Sequence, residues 1–241
     1  MSNLAVNGGE KCIKRDFEIF NFIGEEEIVA TTEVLKSGML SKFVGDWEPD
    51  FYGGSRVQRF EKAWAAHFDV KHAISVNSWT SGLICAVGCL DIEPQDEVIV
   101  PSWTMAATAS AVLVWNAIPV FCDIHPKTFN LDPDKIKEKI SKRTKAIICA
   151  DIHGMSADMD EILAIADKNN LIVISDSAQA IGSIYKGKKT GTLAHIGGFS
   201  LNRFKHIQTG EGGVIVTNDN EFAERMQMIR NHADAVANRR K

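Results

Sequence analysis

Four clusters in this sequence combine residue types that could hold and act on a small ligand, and each follows or closes an apolar run. Asn77-Ser78-Trp79-Thr80-Ser81-Gly82 lies between a β-branched run and an apolar helix-forming stretch. Small hydroxyl residues at a helix N-terminus offer backbone N–H groups and the positive dipole end to an anion such as phosphate. The same residues serve equally as a plain N-cap. Pro101-Ser102-Trp103-Thr104 follows a second run, where an indole either stacks on a flat ligand ring or plugs the core. Ser175-Asp176-Ser177-Ala178-Gln179-Ala180 follows a third. An aspartate at the end of a buried strand is costly unless paired or hydrogen-bonded; a protonated ring nitrogen would answer that need, and so would capping of the next segment. Finally, Phe199-Ser200 and Lys205 precede Thr209-Gly210-Glu211-Gly212-Gly213. A lysine after a strand is usually a solvated charge, while the glycines permit a tight turn or the close approach of a ligand.

Taken singly, each cluster has an ordinary structural reading. Together, a phosphate cradle, a stacking ring, a strand-end acid and a downstream lysine are the parts of a pyridoxal-phosphate (PLP) site. PLP reacts through a lysine Schiff base and needs an acidic partner on its pyridine nitrogen.

The elements that must position these residues alternate regularly. Apolar runs at Ala73-Val76, Glu97-Val100, Pro119-Cys122, Ala146-Ala150 and Leu171-Ile174 read as strands. Helical patterns occupy Thr80-Leu90, Ala106-Trp115, Pro133-Ser141 and Met159-Lys168, the third opening on an Asp132 cap with proline at its first position. Strands that alternate with helices imply βαβ units and a mostly parallel sheet covered on both faces, a three-layer α/β/α arrangement. Ligands of such sheets bind at the carboxyl ends of the strands, where the four clusters fall. Shorter strands follow at Gly197-Leu201 and Gly213-Thr217, then a last helix at Asn220-Asn231. Ahead of the sheet lie a helix over Glu25-Lys36 stopped by Ser37-Gly38, an aromatic loop from Gly45 to Gly54, and an amphipathic helix over Phe60-Phe68. The expected division is an N-terminal arm and active-site loop over 1–59 and a large domain over 60–241.

Composition narrows the class. The 241 residues are 45% hydrophobic and 24% charged with a formal net charge of -4, which suits a soluble globular protein and gives no reason to expect nucleic acid or a membrane as partner. The basic run Asn238-Arg239-Arg240-Lys241 is too short to alter that. Charged residues from Glu10 to Asp16 interrupt any apolar leader, so a cytoplasmic location is expected. Cys12, Cys85, Cys89, Cys122 and Cys149 form no paired framework, and no second Cys/His pair joins Cys85 and Cys89 in a zinc site. A Gly-x-Gly-x-x-Gly after the first strand, the mark of a nicotinamide-binding domain, does not occur.

From about Phe60 to His232 the sequence resembles the sugar aminotransferases of the DegT/DnrJ/EryC1/StrS family, of fold-type I among PLP enzymes. The resemblance is carried by Val76-Asn77-Ser78 with Thr80, Asp96-Glu97-Val98-Ile99-Val100-Pro101-Ser102, and Pro119-Val120-Phe121-Cys122-Asp123. It continues through His153-Gly154-Met155-Ser156-Ala157-Asp158-Met159-Asp160, Asp176-Ser177-Ala178-Gln179-Ala180, and Phe199-Ser200 with Lys205 and Thr209-Gly210-Glu211-Gly212-Gly213. It implies that Lys205 carries the cofactor and moves the proton, and that Asp176 holds the pyridine nitrogen protonated. It further implies that Trp103 stacks on the ring, that Gln179 bonds near the 3-oxygen, and that Ser200 with Ser78, Trp79 and Thr80 holds the phosphate. The implied reaction moves an amino group from glutamate or glutamine to a keto sugar, commonly nucleotide-linked, or to a keto-cyclitol, in a homodimer.

The sequence departs from the family pattern in places. Glycine commonly stands where Trp79 does, so a bulky ring is expected to crowd the phosphate loop, and glutamate commonly stands at Ser175. The resemblance implies a small C-terminal domain beyond this stretch, so a truncated or split chain is expected. Two other readings accompany the aminotransferase one. A sugar dehydratase of the same family would have histidine in place of the lysine, and His206 adjoins Lys205. A catalytically incompetent truncated homologue would keep only the fold and act as a binding protein.

Overall fold

The computed structural model describes residues 3–16 and 23–232; the basic run at 238–241 lies outside them. Contacts divide the chain into two units, 1–40 and 41–241. In the first, α1 (Glu25–Ser37) begins where the Glu27 carboxylate accepts the Gly24 N–H at 2.7 Å, and it ends at Gly38, whose φ of 69° suits the left-handed stop that its sequence announces. The segment 41–59, expected to belong with the arm, is part of the second unit. Phe51 is fully buried there, packed on Trp47 and Tyr52, and the Asn231 amide donates to the carbonyls of Val44 and Phe51.

In the second unit α2 (Ser55–Phe68) starts before the expected Phe60, because its first turns are polar and show no apolar period. A seven-stranded sheet follows in the order β1-β9-β8-β5-β4-β2-β3. Its members are β1 (His72–Val76), β2 (Glu97–Pro101), β3 (Ile118–Cys122), β4 (Thr144–Ala150), β5 (Ile172–Asp176), β8 (Ile196–Ser200) and β9 (Gly213–Thr217). Only β9 runs against its neighbours. The short hairpin β6 (Ile184–Tyr185) and β7 (Lys188–Lys189), not foreseen from the sequence, turns through Lys186 and Gly187 at φ 46° and 83°.

Strand alternation sorts the side chains. Ile74, Val98, Val100, Ala146, Ile148 and Ile215 enter one core with α3 (Trp79–Gly88), α4 (Ala107–Leu113) and α7 (Asn220–Arg230). Ile99, Ile147, Cys149 and Val173 enter another with α5 (Pro133–Ile136) and α6 (Met159–Asn169). Trp64, Phe68, Phe199 and Val214 form a third, where α2 meets the sheet. The helix expected over Pro133-Ser141 stops at Ile136 and relaxes into a 3-10 turn. Lys137, Glu138 and Lys139 are all exposed, so no apolar contact holds a further α-turn there.

Cys85, Cys89, Cys122 and Cys149 are buried thiols, and burial raises their pKa values, to about 11 or 12 for the first three. No cluster of three possible metal ligands occurs among the described residues. No helix of the described residues is long and apolar enough to cross a membrane.

Candidate active site

The carboxyl ends of β1, β4, β5 and β8, with the loop after β2, surround a cavity of about 480 Å³. Ser78, Trp79 and Thr80 reach it from the β1 side, Thr104 and Met105 from the loop after β2, and Asp151 from the end of β4. Asp176 and Gln179 line it from β5, and Ser200, Asn202 and Lys205 from β8. A wider groove of about 720 Å³ lies between α5 and α6, lined by none of the residues at the carboxyl ends of the strands.

Local chemistry explains how each group arrives. Ser78 caps α3, its hydroxyl accepting the Ser81 N–H at 3.1 Å, and the first N–H groups of the helix have no intrahelical partner. Close approach is needed on the sheet side: a Cβ on Gly213 would stand 2.6 Å from the Trp79 nitrogen. Lys205 sits in a tight turn where the ladder of β8 and β9 runs on past Ser200. Leu201 N–H donates to the Gly212 carbonyl at 2.9 Å and Lys205 N–H to the Asn202 carbonyl at 2.8 Å. Gly210, at φ 81°, closes the return. Gln179 is oriented by the His153 N–H, which donates to its Oε1 at 2.9 Å and leaves the amide NH₂ to donate.

Asp176 closes β5 as a buried acid. It is 6% exposed, and burial raises its pKa; hydrogen bonds from the Ala178 N–H, Trp79 and Thr108, and the positive field of Lys205, oppose that rise. Oδ1 takes the Trp79 indole N–H at 2.6 Å and the Ala178 N–H at 3.2 Å. Among the described residues Oδ2 takes only the Thr108 hydroxyl, at 3.3 Å, and so retains acceptor capacity. A buried carboxylate with a spare lone pair is suited to a protonated pyridine nitrogen, so the residues present fit PLP.

Of the expected site residues, Ser78, Trp79, Thr80, Asp176, Gln179, Ser200 and Lys205 meet in this cavity, while Trp103 does not line it. Trp103 is 55% exposed with its ring toward Phe129, at 6.3 Å, and Thr104 and Met105 face the cavity instead. The Trp79 ring, expected to crowd the phosphate loop, is buried in the core and 5% exposed. His206 is exposed and outside the lining.

A second buried acid escaped the sequence reading. Asp151 accepts the Ser175 hydroxyl at 3.0 Å, the Ala157 N–H at 2.9 Å and the Ser177 hydroxyl. Burial first, then the charge of Asp176, push its pKa up to about 6 against these bonds. It follows the apolar end of β4 as Asp176 ends β5, so the same signal would have found it. Thr108, inside α4, carried no signal.

Residues 21–241 match the DegT/DnrJ/EryC1/StrS aminotransferase family. The chain is 46% identical over 177 residues, 73% of its length, to a GDP-perosamine synthase of Caulobacter vibrioides, covering 48% of that protein. It is 36% identical, over 99% of its length, to an L-glutamine:2-deoxy-scyllo-inosose aminotransferase of Streptomyces lividus, covering 55% of it. An aminotransferase structure from Psychrobacter cryohalolentis superposes with a TM-score of 0.79 at 37% identity, over 88% of this chain and 51% of that one. The chain thus spans about half the length of the curated relatives it matches, and its sheet and helix layers are those of a fold-type I large domain. By sequence and by fold, the chain belongs to the DegT/DnrJ/EryC1/StrS aminotransferase family.

Proposed function

We propose that this chain is the cofactor-binding part of a PLP-dependent aminotransferase. It would move an amino group from glutamate or glutamine to a keto sugar, nucleotide-linked, or to a keto-cyclitol. The observation that carries the reading is the meeting of Lys205 and a buried Asp176 with a spare acceptor in one cavity at the strand ends. The names of the relatives, one a glutamine-dependent aminotransferase and one a GDP-sugar synthase, support the donor and acceptor classes.

When bound, PLP supplies a ring that accepts the electron pair released at the substrate carbon. Nζ of Lys205 would attach the cofactor and, once displaced, take up and return the proton at that carbon. Asp176 Oδ2 would accept the pyridine N–H and keep the ring protonated. The Gln179 NH₂ would donate to the ring hydroxyl oxygen. The Ser200 and Thr80 hydroxyls, with the first N–H groups of α3 at Ser78 and Trp79, would hold the phosphate. Stacking by Trp103 is left out, because its ring stands outside the cavity. Lys205 lines the cavity and His206 does not, which favours aminotransfer over the dehydratase chemistry of a histidine in that place.

Incubation with PLP is expected to give a visible absorbance band that Lys205→Ala lacks and that glutamate or glutamine bleaches. A protein that stays colourless refutes the cofactor assignment. A band that neither donor bleaches refutes the transamination.

A further inference from the structure

Trp79 makes the shortest hydrogen bond to Asp176, yet the reaction as outlined gives its indole no task. Its Nε1–H donates to Oδ1 at 2.6 Å, and both residues are more than nine-tenths buried. The ring lies in a slot cut by two missing side chains. A Cβ on Gly82 would stand 2.5 Å from the indole Cε3, and one on Gly198, in the neighbouring strand β8, would overlap the ring outright. Ile215 closes the same corner, its Cγ1 lying 3.4 Å from the Gly82 position. An indole seated in such a slot and ending on a buried carboxylate restrains that carboxylate's rotation. Thr108 touches the other oxygen at 3.3 Å, a weaker restraint.

We propose that Trp79 is a positioning residue for Asp176: its indole N–H pins Oδ1, so that Oδ2 is the oxygen presented to the pyridine nitrogen. The inference rests on the cofactor reading for its purpose, but not for its geometry. Trp79 would thus do its work away from the phosphate, on the acid at the far end of the cofactor, where a smaller residue at this position leaves Oδ1 to the Ala178 N–H alone. Two other ionisable groups bear on the charge of Asp176: Asp151, since each of the two carboxylates disfavours the charge of the other, and Lys205, which favours it, while the Cys149 thiol beside them is held uncharged by burial.

The test begins on the cofactor-free chain. Ionisation of Asp176 is followed by infrared difference spectroscopy, with Asp176→Asn identifying its band. Trp79→Phe keeps the ring and removes the donor. A buried hydrogen bond to a charged group corresponds to about a ten-fold change in the ionisation constant, so the Asp176 midpoint should rise by about one pH unit. Thr108→Val should move it less, and Trp79→His, which returns a ring N–H, should move it back. A Trp79→Phe midpoint equal to the wild type, or a larger effect of Thr108→Val, overturns the proposal.

A second measurement does not depend on the folding of Trp79→Phe. Among the five tryptophans, one indole proton resonance should lie well downfield and return upfield in Asp176→Asn; its absence also overturns the proposal. In the loaded protein, the PLP Kd of Trp79→Phe should rise about ten-fold, and an unchanged Kd refutes the link to the cofactor. Wild-type protein that binds no PLP would sink the aminotransferase reading, while the cofactor-free measurements would still judge the Trp79–Asp176 pair.

Discussion

Replacing Asp151 with asparagine should remove a pH dependence that the wild-type fold carries. Asp151 is nearly inaccessible, and burial lifts its pKa from the ordinary 3.8 to about 6 in spite of three hydrogen bonds. The sign follows from proton counts. Below pH 4 the group is protonated in both folded and unfolded chains and contributes nothing. Between about 4 and about 6 the unfolded chain has lost a proton that the folded chain keeps, so stability falls as pH rises. Above 6 the loss is complete. The window spans a little over two pH units at ~1.4 kcal/mol each, so the ionised group costs the fold about 3 kcal/mol at neutral pH.

Asparagine carries no charge to bury. Its Oδ1 can accept the Ala157 N–H, and the Ser175 and Ser177 hydroxyls can turn to accept from its amide. Urea unfolding of both cofactor-free proteins from pH 4 to 8, read by tryptophan fluorescence, isolates the effect as a difference of two free energies. Titrations common to both proteins cancel. The wild type should lose about 3 kcal/mol relative to Asp151→Asn between pH 4 and 7, with unchanged m-values. A difference that stays flat across that range refutes the reasoning.

Two further outcomes concern the packing around the sheet. Glu61 Oε1 receives Arg230 at 2.7 Å and both the N–H and hydroxyl of Ser75, so Glu61→Gln leaves a buried guanidinium uncompensated and should cost about 3–5 kcal/mol in urea unfolding; a loss below about 1 kcal/mol would show the pair to be solvated. Phe51→Ala, at a fully buried position, should cost about 3–5 kcal/mol and speed hydrogen exchange at Val44 and Gly54, whose N–H groups bond within the same segment. Unchanged exchange there would mean that Phe51 does not anchor residues 41–54.

Much of the scaffold was legible because its signals are local. Each expected strand from residue 73 onward appears within two residues of its predicted bounds, since a buried parallel strand is written as a short continuous β-branched run. The Gly38 stop and the Asp132 cap were readable for the same reason: capping joins residues two or three apart. Elements whose stability comes from elsewhere in the chain were misjudged. The first turns of α2 are polar and the helix over 133–141 is cut short. The 41–59 segment looked like part of an arm until Phe51 and Asn231, far apart in sequence, showed where it packs.

The candidate site divides the same way. That Ser78, Asp176, Ser200 and Lys205 belong to one place follows from the strand pattern alone, because parallel strands deliver their carboxyl ends to one edge. Which oxygen of Asp176 is spare, that the Trp79 ring turns inward, and that Trp103 stands outside were decided only in three dimensions. Trp79 meets Asp176 across 97 positions and Thr108 meets it across 68. The slot that admits the indole exists because Gly82 and Gly198 leave it empty. An absent side chain has no periodicity to read, and its effect appears only once two distant segments are packed against each other.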